Sequence, residues 1–286
     1  MTILRSLALC VVALAISTPF SRAVTYTTVD VPGAAETIGV WDINNTGQMV
    51  GAYYDAAFQE HGFIDTNGTF TTLDFPAATL TQLHGINDSG QVVGLYCASD
   101  GTCHGFYYDG TTFTTIEPKN VMESSLEKIN NSGQMAGWAE DLASVDHAFT
   151  YDSSTSSFTS LRPPRGDDGV AHGINNLGFV VGRYSVGSTE PAFLYGGGRY
   201  RQIAYPAANT TEAQDINDSG AVVGFLTLDS QRGTQYHGFL YQTGQFVRFV
   251  FPGTSFTEAL GINNAGMIVG LYGDSSNIGH GFLRTP

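Results

Sequence analysis

The sequence predicts an all-β protein: a six-bladed β-propeller of four-stranded antiparallel blades, closed by an N-terminal strand that pairs in the last blade. Three observations predict it. The pattern Ile-Asn-(Asn/Asp)-x-Gly recurs six times, its first Asn falling at Asn44, Asn87, Asn130, Asn175, Asn217 and Asn263, with spacings of 43, 43, 45, 42 and 46 residues. A unit of about 40–45 residues holding four short strands is the size of one propeller blade. No segment shows a helical period with caps. Finally, the last repeat stops after three strands, at His280-Gly281-Phe282-Leu283, while residues 25–32 (TYTTVDVP) resemble 70–76 (FTTLDFP), the fourth strand of a repeat. A strand lent from one end of the chain to the other would close the ring and leave no free sheet edge.

The chain opens on an address. Arg5 precedes an apolar run over residues 7–16, and a polar stretch ends in small residues at Ser21 and Ala23. This is the layout of a secretory signal peptide, residues 1–23, cleaved after Ala23. The run is short of the roughly 20 apolar residues that span a bilayer. The mature chain, residues 24–286, is therefore expected to be secreted, extracellular or periplasmic, with no membrane span. Cleavage removes Arg5, Arg22 and Cys10 and moves the formal net charge from −14 to −16. In an oxidising compartment the two remaining cysteines, Cys97 and Cys103, are expected to pair and pinch one loop. The alternative is a metal site, for which only His104 is near.

Each repeat reads as four strands. The first ends in Ile-Asn, and the Asn-Asp-Ser-Gly type of turn suits a hairpin because Asn and Gly tolerate positive φ. The second is an apolar run ending in glycine, as in Gln91-Val92-Val93-Gly94. The third begins with His-(Gly/Ala)-Phe at His61, His104, His147, His237 and His280, replaced in the fourth repeat by Pro191-Ala192-Phe193. A tight turn such as Tyr108-Asp109-Gly110 leads to a strand alternating as Phe113-Thr114-Thr115-Ile116, after which a proline follows in most units.

These motifs, in register over residues 25–286, resemble the bacterial extracellular HAF repeat family, named for its His-Ala-Phe motif. The resemblance implies export and a repetitive β fold, and it brings no catalytic residues with it.

Residues repeated in every blade serve the blade, so a site is sought where the blades differ. The repeated histidines lie on the third strand out from the axis, on a circle too wide for one metal ion. They are read as structural hydrogen-bonding groups to backbone or a neighbouring strand. The Asn-Asp-x-Gly turns look like calcium loops, but calcium needs six to eight oxygen ligands, and each turn has at most one or two carboxylates, even beside Asp42 and Asp215, the acids directly before an Ile. Two residues before each Ile stand Trp41, His84, Glu127, His172, Gln214 and Leu260. This position does not repeat. His84, Glu127 and His172 are the catalytic candidates, being of acid–base and ligand type, and with Trp41 and Gln214 they are the central-axis binding candidates. Ordinary strand packing is the competing account.

The turns between first and second strands and between third and fourth are short and share one end of the ring. The other two connections vary and share the opposite end, where loops on a rigid scaffold carry binding. That end is assigned most of the acidic surplus, including Glu36, Asp55, Glu212, Glu258 and Asp274, against Lys119, Arg162, Arg165, Arg183 and Arg232.

Composition bounds the function. Hydrophobic residues are 42% and charged residues 13%, which excludes a disordered acidic tail and a coiled coil. With 26 acidic against 12 basic residues, nonspecific nucleic-acid binding and anionic membrane surfaces are excluded as well. The leading reading is a non-catalytic binding module for an extracellular carbohydrate or protein. A hydrolase of lactones or polysaccharides built on the axial His and Glu residues is the runner-up, although no Gly-x-Ser-x-Gly elbow, His-Glu-x-x-His motif or phosphate loop occurs. A purely structural surface module is the third. No cofactor is predicted; a divalent cation stays open, as does the oligomeric state.

Overall fold

The computed structural model describes residues 23–286 apart from 165, 167, 207, 231 and 232. Most of the expected leader, with Cys10, and also Arg165 and Arg232, lie outside the described residues. Every regular element described is a β-strand, and none is a helix long and apolar enough to cross a membrane.

β1 is Thr25–Val29. The first repeat forms β2 (Glu36–Ile43), β3 (Met49–Tyr54), β4 (Glu60–Thr66) and β5 (Thr69–Thr72). The second forms β6 (Leu80–Ile86), β7 (Val92–Cys97), β8 (Cys103–Tyr108) and β9 (Phe113–Thr115). Next come β10 (Val121–Ile129), β11 (Gln134–Asp141), β12 (Asp146–Asp152) and β13 (Ser157–Ser160). The fourth repeat has β14 (Gly169–Ile174), β15 (Val180–Tyr184), β16 (Ala192–Gly196) and β17 (Arg199–Ile203). The fifth has β18 (Thr210–Ile216), β19 (Val222–Ser230), β20 (Gly233–Gln242) and β21 (Gln245–Phe249). The last has β22 (Thr257–Ile262), β23 (Ile268–Gly273) and β24 (Gly279–Thr285).

The expectation of six separate four-stranded blades is corrected. There are four such sheets, and the first two repeats share one eight-stranded sheet. The cause is a contact between repeats: β4 meets β6 in parallel at Glu60↔Leu80, and the Gln82 amide donates to the Glu60 carboxylate beside it. Within each repeat the pairings are antiparallel, and β1 joins β24 with Thr25 opposite Thr285.

The core lies between neighbouring repeats. Val50 of one repeat packs with Leu83, Ile86, Val92 and Phe106 of the next, and Val29, Val40 and Phe63 pack with Val269 where the chain's two ends meet. The Phe of every His-(Gly/Ala)-Phe or Pro-Ala-Phe triplet is buried, among them Phe63, Phe149 and Phe282. The glycine ending each apolar run is there for space: a Cβ on Gly94 would stand 1.9 Å from the Gln82 carbonyl oxygen, and on Gly224 1.9 Å from that of Glu212. Each first strand also bulges just before its Ile, as between Leu83 and Gly85 or Ala213 and Asp215, which turns both of the last residues before the Ile toward the axis.

Candidate functional site

At the turn end of the axis the repeated Asn does two jobs. The Asn44 Oδ1 accepts the backbone N–H groups of Thr46 (3.1 Å) and Gln48 (2.9 Å), closing its own turn, where Gly47 alone takes positive φ (86°). Its Nδ2 donates to the carbonyl of Asn87 at 3.0 Å. The same bond runs from Asn87 to Asn130, Asn130 to Asn175, Asn175 to Asn217, Asn217 to Asn263, and from Asn263 back to Asn44 at 3.2 Å. The chain thus closes on itself through a ring of buried amides, each satisfied on both sides, which is what buried polar groups require. The residues one position on form a second ring. Asp88 accepts from the side chains of Asn45 and Asn131, and Asp218 from those of Asn176 and Asn264. Burial raises both carboxyls, but these amide donors outweigh it and hold them below the usual range.

Beneath the rings, the residue before each Ile alternates between charged and glycine: Asp42, Gly85, Lys128, Gly173, Asp215, Gly261. The glycines make room, since a Cβ on Gly173 would lie 2.8 Å from the Cα of Asp215. The charged three meet as a plug. Lys128 Nζ is 3.1 Å from Asp42 Oδ1 and donates to the carbonyls of Trp41 and His84. Asp42 accepts the Ile86 N–H, and Asp215 those of Ile216 and Ile262. Burial, opposed by Lys128 and reinforced by the Asp42 charge, pushes the Asp215 carboxyl up to about 7.

The next layer holds the sequence candidates, and they converge in part. The rings of Trp41 and His84 are 5.2 Å apart, and His84 Nδ1 is 3.3 Å from Glu127 Oε2. The Trp138 indole N–H donates to Glu127 Oε1 at 2.8 Å. Burial would raise the Glu127 carboxyl, yet the charge and hydrogen bond of His84, with the charge of His172, hold it well below the usual carboxylate range. His172 Nε2 stands 2.8 Å from Glu212 Oε1, out of line for a hydrogen bond, and its Nδ1 has no hydrogen-bond partner among the described residues. Gln214 donates to Glu212 at 3.0 Å. Leu260 is buried as packing.

Sequence reasoning placed Glu212 and Glu258 among loop acids; they are on β18 and β22, facing the axial cluster. Burial raises the Glu212 carboxyl, but the close approach and charge of His172 and the charge of Arg183 bring it below its ordinary value. The Arg183 Nε is 3.6 Å from Glu212, and its other nitrogens face Asp146 and Glu190. Glu258 is pushed up to about 8 by burial and then by the charge of Glu212. The plug lysine was also missed, although the Asp–Gly–Lys–Gly–Asp–Gly alternation was there to be read.

At the loop end the repeated histidines bind carboxylates of the variable loops rather than backbone. His61 Nδ1 is 2.7 Å from Asp74, His104 Nδ1 2.7 Å from Glu117, His147 Nε2 2.9 Å from Asp141, and His280 Nδ1 2.9 Å from Asp30. Burial lowers the His61 pKa, but Asp74 and then Asp55 outweigh it and raise it. His237 differs: burial and the Arg248 charge lower it. Much of the acidity is thus spent on structure; Asp55, Asp141 and Asp274 each also accept two backbone N–H groups of their own loop. Cys97 and Cys103, facing each other across β7 and β8, form a disulfide. Among the described residues no group of three or more His, Cys, Asp or Glu side chains is placed to hold a metal ion.

The loop end also holds a cleft of about 360 Å³ where the last repeat meets the first, lined by Glu36, Ile38, Tyr54, Phe256, Tyr272 and Asp274 among others. Other junctions are zipped by parallel bridges, at Glu60↔Leu80, Glu190↔Thr210 and Tyr236↔Phe256. Here the Glu36 carboxylate takes the Gly279 N–H instead, at 2.8 Å.

By sequence the chain matches no family model and no curated protein. By structure it is similar to TolB from Acinetobacter baumannii, with a TM-score of 0.57 at 13% identity, covering 84% of this chain and 64% of that one. It is also similar to SapL1 lectin in complex with alpha methyl fucoside, at a TM-score of 0.56 and 12% identity over 86% and 91% of the two chains. A mutant of Aleuria aurantia lectin AAL in complex with Fucalpha1-6GlcNAc gives 0.51 and 11% over 86% and 93%. The chain therefore spans just under two thirds of the TolB chain. At such identities the likeness is one of fold, and the fold is an all-β β-propeller.

Proposed function

We propose that this chain is an exported, non-catalytic binding propeller whose variable loop end takes an extracellular carbohydrate. The observation that carries this reading is the division of labour among polar residues. The repeated Asn and His side chains are consumed by the scaffold, whereas an open, aromatic-lined cleft stands among the variable loops. Concave sites of this size with aromatic walls and a few polar groups suit small ligands. Two fold neighbours are lectins solved with fucosides, which supports the ligand class. Export and membership of the HAF repeat family rest on the leader and on the motifs in the sequence. The test is a glycan array probed with the mature chain, beside a pulldown from envelope extract. Retention on glycans is the expected outcome; a chain that retains no glycan, or only a protein, overturns the reading.

One observation favours a second reading, hydrolysis at the axis. Glu258 and Glu212 are neighbouring carboxyls whose pKa values are driven apart, the arrangement by which a proton donor and a carboxylate share a site. Turnover of lactones or polysaccharides that disappears in Glu258→Gln would establish it, and no turnover by the native chain removes it.

A further inference from the structure

Four of the second-to-third-strand loops share one turn. Phe58, Gly101, Ser144 and Asn277 each donate their backbone N–H to the carbonyl three residues earlier, and each takes positive φ, at 58°, 86°, 58° and 60°. That conformation suits Gly and Asn; a bulky side chain there is strained. In the first repeat the chain nevertheless carries phenylalanine, and its ring is 69% exposed, so burial returns little of the strain. The ring lies 6.4 Å from that of Tyr54, a wall of the cleft between the last and first repeats. Across the cleft stand Phe256 and Tyr272. The Glu36 Oε1 accepts the Gly279 N–H, while its Oε2 has no hydrogen-bond partner among the described residues. The described lining contains Glu36 and Asp274 and no Lys or Arg.

Resting on the carbohydrate-binding reading above, we propose that this cleft is the saccharide site and that Phe58 is its aromatic platform, for one or two uncharged pyranose rings. An apolar ring face stacks on an aromatic side chain, and sugar hydroxyls donate to Glu36 Oε2, with no bond made or broken. The acidic lining rejects uronic and sialic acids, which would set carboxylate against carboxylate. The backbone strain at Phe58 persists because the ring serves the ligand rather than the fold.

The test is Phe58→Asn in the full mature chain, titrated with the neutral glycan that the native protein retains best. The variant relieves the strain, so it melts at a higher temperature than the native chain, and any lost binding is not a loss of folding. The expected result is that higher melting point together with an affinity at least about tenfold weaker, about 1.4 kcal/mol, and Glu36→Gln weakens binding in the same direction. If the native chain retains neutral glycans and both variants bind them unchanged, the site is wrong while the carbohydrate reading stands. If the native chain prefers anionic glycans, the cleft assignment fails. If it retains none, both fail.

Discussion

The two ends of the axial channel are built on opposite principles. At the turn end six equivalent Asn side chains bond in a closed ring, and the next residue repeats the pattern with Asn or Asp, so each repeat answers the one before it. Toward the loop end the equivalent first-strand position reads Trp41, His84, Glu127, His172, Gln214 and Leu260, and the symmetry is gone. There the contacts are particular to two or three repeats, such as His84 with Glu127 or Arg183 with Glu212. The contrast separates ring closure, which needs identical parts, from a layer in which each repeat contributes a different side chain.

The largest expected break lies between the two ends, at the plug. Lys128→Met would leave the Asp42 carboxylate buried without its cation, at a cost of about 3–5 kcal/mol in a denaturant titration. Asp42→Asn in the same chain should return part of it. Next is the ring itself. Asn130→Ala removes the acceptor for two N–H groups of its turn and the donor to the Asn175 carbonyl, and should cost about 2–4 kcal/mol. Asn87→Ala should cost a similar amount because the sites are equivalent, and a large inequality between them would undo the comparison.

The smallest effect sharpens the loop-end side. Glu258 is held protonated in the fold up to about 8, against an ordinary value of 4.5. Between those values the folded chain keeps a proton that the unfolded chain has lost, so the Glu258 contribution to stability is full below about 4.5 and declines as pH rises toward 8. Glu258→Gln lacks this decline. It should match the native chain near pH 5 and exceed it near pH 8 by about 1–3 kcal/mol, read as the difference between paired thermal melts. Equal pH profiles for the two proteins would show that Glu258 does not carry the proton.

Much of this was legible in the residues alone. The Ile-Asn-x-x-Gly spacing located the strand ends, because a tight turn must have glycine where φ is positive, as at Gly90 and Gly220. His84, Trp41 and Glu127 stood out because their position does not repeat from unit to unit, but only the structure sets His84 beside the other two. Glu212 was not, because an acid near a strand's start looks the same whether it faces solvent or the axis. The fusion of the first two repeats at Glu60↔Leu80 was equally hidden, since a bridge between repeats leaves no pattern within either one.

The sequence by itself determined the period, the strand content, the turn chemistry and the glycines that strands pressed close together demand. These are local requirements of backbone geometry, repeated often enough to stand out from the rest of the chain. Only the tertiary structure decided why the repeated residue is Asn: its side chain must reach a carbonyl about one repeat away in sequence and adjacent in space. It also decided that the loop histidines meet carboxylates and that a phenylalanine is held strained and exposed beside a cleft. Each depends on which repeats become neighbours, a long-range property that no window of the sequence contains.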